Sequence, residues 1–123
     1  MRNANESLAV QKKIRQFAVI LVRLYQYLTT EQKEFVLSKQ VLRSGTSIGA
    51  NIAESSCAFS RKDFLAKMYV AFKECSETLY WLDLLHDTDY LTDKAYNSLY
   101  ADCREIHKIL SAITKTTREY MRE

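Results

Sequence analysis

The two histidines, His86 and His107, stand near charged residues, so their spacing decides whether metal binding or catalysis is indicated. Di-iron bundles need Glu-x-x-His on two helices and two further glutamates, whereas this chain offers only Asp83-x-x-His86. Helical RNA-cleaving domains place four to six residues between arginine and histidine, whereas Arg104-Glu105-Ile106-His107 has a shorter spacing. Neither glycine has the context of a phosphate-binding loop. The sequence therefore predicts no metal, no cofactor and no catalytic residue.

The three cysteines, Cys57, Cys75 and Cys103, are scattered along the chain. No Cys-x-x-Cys pair occurs, which disfavours a zinc site or a thioredoxin-like motif. We interpret all three as buried, reduced thiols.

Composition predicts one soluble domain over residues 1–123. Apolar residues make up 47% and charged residues 27%, as is typical of globular domains. The absence of proline and the presence of only two glycines disfavour a β-sandwich, which needs many tight turns. No apolar run approaches the roughly 20 residues of a membrane span, and the first residues lack the apolar core of a signal peptide. We expect a cytoplasmic protein that does not enter membranes.

Four segments repeat apolar residues with alternating spacings of three and four, which indicates amphipathic helices. They predict helices over about 6–28, 30–57, 60–86 and 92–121. The first segment carries its apolar residues at Val10, Ile14, Phe17, Leu21, Leu24 and Leu28. Because the connections are short, the prediction is an all-α, antiparallel, up-down-up-down four-helix bundle.

Caps mark the helix boundaries. Thr29 followed by Gln32 has the form of a capping box and predicts the start of the second helix. Ser60 with Asp63 predicts the start of the third, and Thr92-Asp93 the start of the fourth.

Gly45 and Gly49 lie one turn apart in the second predicted helix, and Ala53 lies a further turn along. Glycine inside a helix costs roughly 0.5–1 kcal/mol relative to alanine, so this smooth stripe calls for a reason. It allows another helix to approach closely. That helix can belong to another subunit or to the same bundle, and the sequence leaves both interpretations open.

Arg43, Glu74 and Glu77 are polar residues embedded in the second and third helices. With a turn near residues 58–59, antiparallel pairing places Arg43 level with Glu74 and one turn from Glu77. We predict a charge-assisted bridge that orients two helices or two subunits. A catalytic pair of carboxylates is the alternative.

Tyr80 and Trp81 add large aromatic rings to the third helix. Such rings pack in cores or anchor interfaces, where their polar tips find hydrogen-bond partners. We count both among the candidate subunit-interface residues.

Charge is distributed unevenly although the formal net charge is only +3. In the predicted bundle one end gathers basic side chains, and we call these residues the basic set. The basic set comprises Lys12, Lys13, Arg15, Arg61, Lys62, Lys67, Lys115, Arg118 and Arg122. The opposite end gathers carboxylates at Glu31, Glu34, Asp83, Asp87, Asp89 and Asp93. The basic set is either a phosphate-binding surface, stronger if several subunits align, or an ordinary solvated surface.

The segments 42–54, 64–67 and 73–82, with both glycines and the Tyr80-Trp81 pair, resemble a known family. This is the family of small proteins encoded in intervening sequences of bacterial 23S ribosomal RNA genes, also labelled S23 ribosomal protein. The resemblance covers nearly the whole chain, although Cys57 and Cys75 stand where small residues such as alanine are usual. It implies a four-helix bundle that assembles into a ring-like homopentamer. A distantly similar bundle is an accessory protein of diversity-generating retroelements that binds a reverse transcriptase and nucleic acid.

Three hypotheses about function follow. The first is a non-enzymatic, homo-oligomeric interaction module, pentameric by the resemblance, that binds RNA or a nucleic-acid-processing protein. The second is a small nucleic-acid-processing enzyme. The third is a purely structural oligomer without a ligand.

Overall fold

Four helices form an antiparallel bundle in the computed structural model, which describes the backbone of residues 4–122 and the side chains of residues 8–119. The helices are α1 (Ala4–Thr30), α2 (Leu37–Ser55), α3 (Arg61–Asp87) and α4 (Asp93–Arg122). The predicted fold class is confirmed. None of the helices in residues 4–122 has the length and apolar character to cross a membrane.

The core consists of the residues that the helical spacing selects. Leu21 and Leu28 of α1, Ile48 of α2, Leu82 of α3 and Ile106 of α4 are fully buried. Spacings of three and four residues place these side chains on one face of each helix, so the four faces meet in a single apolar cluster.

The helices do not contact one another equally. α3 packs extensively on both α2 and α4, and α1 packs on α2, whereas α1 and α4 barely touch. Lys13 of α1 and Glu105 of α4 form an ion pair of 2.8 Å across that gap. Each outer helix, α1 and α4, is therefore held in the bundle mainly by one neighbour.

The predicted start of the second helix is wrong. The Thr30 hydroxyl donates to the Gln26 carbonyl at 2.7 Å, so this threonine belongs to α1 and does not cap α2. The chain then leaves the helix through Lys33, whose φ of 55° is left-handed, and the Glu34 N–H donates to the Leu28 carbonyl at 2.9 Å. No glycine marks this turn, so nothing in the local residue pattern indicates it.

Glu34 supplies the cap of α2. Its carboxylate accepts hydrogen bonds from the backbone N–H groups of Val36 (3.1 Å), Leu37 (3.0 Å) and Ser38 (2.7 Å). Burial by itself raises the pKa of Glu34, but these hydrogen bonds outweigh that effect and lower the pKa below its ordinary value. An ionised carboxylate thus satisfies the free N–H groups at the positive end of the helix.

The other two caps agree with the predictions. The Ser60 hydroxyl accepts from the Asp63 N–H at 3.1 Å at the start of α3, and the Asp63 carboxylate accepts from the Phe59 N–H at 3.1 Å. The Thr92 hydroxyl accepts from the Ala95 N–H at 3.1 Å at the start of α4.

The cysteines do not share one environment. Cys75 and Cys103 are buried, whereas Cys57 is exposed. The expectation of three buried thiols is wrong for Cys57 because α2 ends at Ser55, so helical periodicity no longer directs the Cys57 side chain to the core.

The glycine stripe of α2 faces α1 of the same chain. A Cβ at Gly45 would lie 1.8 Å from Leu21 Cδ1, and one at Gly49 would lie 3.4 Å from Ile14 Cγ2. Leu21 therefore packs directly on the backbone of α2. Ala53, the third residue of the stripe, is exposed.

Alanine substitutions at the two glycines should have different effects. Gly45→Ala should lower the free energy of unfolding by about 1–3 kcal/mol, because Leu21 is fully buried and has nowhere to move. Gly49→Ala should be neutral or stabilise by up to about 1 kcal/mol, because an ordinary contact is added and helix propensity improves. Urea denaturation measures both; equal effects would show that α1 does not approach α2 most closely at Gly45.

Candidate functional site

A polar cluster joins α2 to α3 at the positions predicted from the helix register. Arg43 Nη1 lies 3.1 Å from Glu74 Oε2, and the second Nη of Arg43 contacts Glu77 Oε2. Trp81 Nε1 also donates to Glu77 Oε2, at 2.8 Å. The predicted register of the two helices is confirmed, and the bridge lies within one chain.

Two hydroxyls continue this cluster into the core. Thr78 Oγ1 lies 2.9 Å from Ser44 Oγ and 2.8 Å from the Glu74 carbonyl oxygen. Both residues are fully buried, and no buried side-chain N or O atom of the described residues lacks a hydrogen-bond partner. Because the two buried hydroxyls find their partners across the α2–α3 interface and within α3, the cluster helps to fix the α2–α3 pairing.

The alternative of a catalytic carboxylate pair fits this geometry poorly. A single guanidinium bridges Glu74 and Glu77, and Glu77 also holds Trp81. Neither carboxylate lines the two apolar pockets, of about 410 and 210 Å³. The two carboxylates are placed to orient α2 and α3.

Tyr80 and Trp81 differ in exposure. Trp81 packs against the core, whereas Tyr80 is 58% exposed. Their rings lie 5.1 Å apart in an edge-to-face arrangement. Of these two residues, Tyr80 therefore offers the larger aromatic surface to a partner.

Ser76 and His107 form a serine–histidine contact that sequence reasoning missed. Ser76 Oγ lies 2.9 Å from His107 Nε2, and Arg104 Nη1 lies 3.0 Å from His107 Nδ1. A guanidinium only donates, so Nδ1 accepts and Nε2 carries the proton that it donates to Ser76. Burial and the Arg104 charge both lower the pKa of His107. The antiparallel register of α3 and α4 would have predicted this contact, because it places Ser76 and His107 at the same level of the bundle.

This tautomer does not activate the serine. Nucleophilic catalysis needs a base that removes the hydroxyl proton, whereas here the imidazole donates to Ser76. The contact links α3 to α4, and Arg104 and His107 take part in it as structural residues.

His86 and Asp83 are also occupied by structural contacts. The Tyr96 hydroxyl donates to Asp83 Oδ1 at 2.5 Å, and this bond, followed by burial, raises the pKa of Tyr96 to about 12. His86 stacks on the Tyr96 ring with centroids 4.1 Å apart, and its Nε2 lies 2.7 Å from Asp93 Oδ1. Within the described residues, no three histidine, cysteine or acidic side chains gather in a way that could hold a metal ion.

Some side chains of the basic set form contacts within the chain that the sequence analysis did not predict. Lys13 pairs with Glu105 at 2.8 Å and Lys67 with Glu54 at 3.5 Å. Arg118 Nη1 donates to the Tyr69 hydroxyl at 2.6 Å. The members Lys12, Arg15, Arg61, Lys62 and Lys115 are exposed. The side chain of Arg122 lies outside the described residues.

The basic surface extends beyond the set that the sequence suggested. Arg104 and Lys108 precede Lys115 on α4 with spacings of four and seven residues, and all three are exposed. Such spacings place side chains on one helix face. A search for helical spacing among the basic residues, like the one made for the apolar residues, would have predicted this row.

The opposite end is less uniformly acidic than predicted. Its carboxylates include Glu34, the ionised cap of α2, Asp83, which accepts from Tyr96, and Asp93, which contacts His86. Lys33, Lys39 and Lys94 are exposed at the same end. The contrast in charge between the two ends is therefore smaller than the predicted polarisation.

Helix α1 exposes apolar side chains that sequence reasoning did not single out. Leu8 is 64% exposed, Val19 50% and Val22 39%; helical spacing places these three on the side of α1 away from the core. The neighbouring Ile20 and Tyr27 are also exposed and line the apolar groove of about 410 Å³ between α1 and α4. The sequence could have indicated this exposed side, because valines occupy positions of α1 that lie outside its apolar three-and-four spacing.

Removing the two bridged carboxylates one at a time should separate their contributions. Glu77→Ala should destabilise the protein by about 1–2 kcal/mol, because Trp81 Nε1 also loses its acceptor. Glu74→Ala should cost less than about 1 kcal/mol, because it removes only one partly exposed ion pair. Urea denaturation followed by the fluorescence of Trp81, the single tryptophan, measures both. Equal losses would mean that the Trp81 hydrogen bond contributes nothing.

Comparison with known proteins agrees with this architecture. Residues 6–112 match the family model of the 23S rRNA-intervening sequence protein. The crystal structure at 1.70 Å of a protein of unknown function from the S23 ribosomal protein family of Bacteroides thetaiotaomicron VPI-5482 is similar, with 55% identity and a TM-score of 0.85. The alignment covers 86% of this chain and 98% of that one. No curated protein matches. The chain belongs to the 23S rRNA-intervening sequence protein family.

Proposed function

We propose that this protein is a non-enzymatic, homo-oligomeric interaction module, and that several copies together bind nucleic-acid phosphates. The exposed apolar side of α1 is the observation that carries the proposal. Leu8, Val19 and Val22 lie on this side over about 21 Å of helix, and the exposed Lys12 and Arg15 lie on the same side between Leu8 and Val19. Val19 and Val22, one turn apart, are the apolar part of this side that a helix of another subunit would cover.

A second copy of the chain is the occupant that we propose. The glycine stripe is already covered by α1 of the same chain, so it does not supply the subunit contact. Leu8, Val19 and Val22 remain uncovered because they lie on the side of α1 away from the core, and Ile20 and Tyr27 are exposed because α4 barely touches that helix. The family resemblance suggests five subunits.

The geometry supports a non-enzymatic role. Arg43 bridges the two carboxylates that might have acted as acid and base, and His107 donates to Ser76 in place of activating it. The chemistry that remains available at the surface is charge and apolar contact, which serve binding.

Exposed cations support nucleic acid as the ligand of the assembly. Lys12, Arg15, Lys62 and Lys115 are exposed at one end, and Arg104 and Lys108 extend the row along α4. Several subunits with these ends aligned would sum their charge. Such a surface neutralises phosphates without reading base sequence.

Assembly should depend on the exposed side of α1. Light scattering should give a mass several times 14.4 kDa, about five times if the resemblance holds. Val19→Glu with Val22→Glu should reduce that mass to the monomer, because two carboxylates would be buried at the interface. Val70→Glu, at an exposed valine of α3, is the matched control and should leave the mass unchanged. A monomeric unmodified protein at tens of micromolar would contradict the proposal.

RNA binding should depend on salt and on the basic end. Retention of structured RNA should weaken steeply between about 50 and 200 mM salt. Reversing Lys12, Lys62 and Lys115 to glutamate should abolish it, whereas reversing Lys33, Lys39 and Lys94 at the other end changes the net charge equally and should have less effect. Lys13 is left intact because its ion pair joins α1 to α4. If both triple variants lose RNA equally, net charge alone attracts the RNA; if the unmodified protein retains none at low salt, the cations are a solvated surface.

A further inference from the structure

Two thiols face each other in the middle of the α3–α4 interface. Cys75 Sγ lies 3.7 Å from Cys103 Sγ, and both residues are fully buried. The contact is reciprocal, because Cys75 Sγ lies 3.5 Å from the Cys103 carbonyl oxygen and Cys103 Sγ lies 3.7 Å from that of Cys75. Both cysteines are unbridged.

We propose that Cys75 and Cys103 form an oxidation site, at which a peroxide converts the two thiols into a reversible intramolecular disulfide between α3 and α4. The inference is independent of the proposed function, since it concerns neither the α1 surface nor the cations.

The geometry is close to that of a disulfide. The bonded sulfurs are separated by about 2.05 Å, so each sulfur has to move roughly 0.8 Å towards the other. At the observed separation no third side chain fits between them. Rotation of the two side chains and a small approach of the helices supply the movement.

The position of the pair gives the bridge a physical consequence. α4 is held in the bundle mainly by its contacts with α3. A covalent bond between α3 and α4 therefore strengthens the attachment of α4. The cysteines are 28 residues apart in sequence, and the bridge closes a loop that includes the α3–α4 turn. Closing that loop restricts the unfolded chain and should stabilise the folded one.

The buried environment controls the reactivity of the pair. The hydrogen bond with Cys75, together with burial, raises the pKa of the Cys103 thiol, and the thiolate is the reactive form. Oxidation therefore requires a local separation of α3 from α4 that admits water and peroxide. Exposed Cys57 should react first, and the buried pair more slowly.

The reaction balances with hydrogen peroxide as the oxidant. One cysteine thiolate attacks a peroxide oxygen and becomes a sulfenic acid, and the other peroxide oxygen leaves as water after taking up a proton. The second cysteine sulfur then displaces the sulfenic oxygen, which leaves as a second water. The two thiols lose two protons and two electrons in total, and thiol reductants reverse the bond by exchange.

The test uses full-length protein with Cys57→Ser, so that the exposed thiol does not interfere. After treatment with hydrogen peroxide in dilute urea, which increases local opening, the intact mass should fall by two hydrogen atoms. A non-reducing peptide map should link Cys75 to Cys103. The thermal midpoint should rise by on the order of 10 °C, and dithiothreitol should restore both mass and midpoint.

The matched control carries Cys57→Ser together with Cys103→Ala, and it should show neither the mass loss nor the rise in midpoint. The proposal is overturned if the two-cysteine protein keeps its mass, gains only oxygen, or links only to a second chain. It is also overturned if the internal bridge forms but the thermal midpoint falls, because the native core would then be incompatible with the bond.

Discussion

The contact of Leu21 with the α2 backbone at Gly45 determines much of this bundle. α1 has few contacts with α4, so α1 is placed almost entirely by its packing on α2. A glycine at the crossing lets a fully buried leucine fill the space that a Cβ would occupy. This close approach is one of the contacts that set the rotation of α1, and with it the side that remains exposed. The proposed subunit interface thus depends in part on how α1 packs against α2.

α3 is the other organising element, because it contacts α2 and α4 through different polar chemistry. Towards α2 it presents Glu74, Glu77 and Thr78, which bond to Arg43 and Ser44. Towards α4 it presents a thiol and a hydroxyl, which meet Cys103 and His107. In each case a residue of catalytic type holds two helices together. The polar side chains that α3 presents to its two neighbours are therefore engaged in helix packing.

Sequence reasoning succeeded where distances along the chain are short and regular. The pairing of Arg43 with Glu74 followed from two helices and a brief turn, since antiparallel geometry leaves little freedom in register. It failed at the start of α2, where Thr29 and Gln32 have the form of a capping box. A threonine hydroxyl can bond to a carbonyl within its own helix as readily as to an N–H at a cap, and the left-handed turn at Lys33 contains no glycine.

The sequence by itself determined the number of helices, their apolar faces and the order in which they pair, because these depend on local periodicity and on short connections. Only the tertiary structure decided what each exceptional residue contacts. Gly45 meets Leu21 and not another subunit, Lys13 is neutralised by Glu105, and Cys75 meets Cys103. Each outcome depends on how far one helix is rotated about its axis relative to its neighbour. That rotation is set by the packing of all the side chains in the interface together, which no single spacing in the sequence encodes.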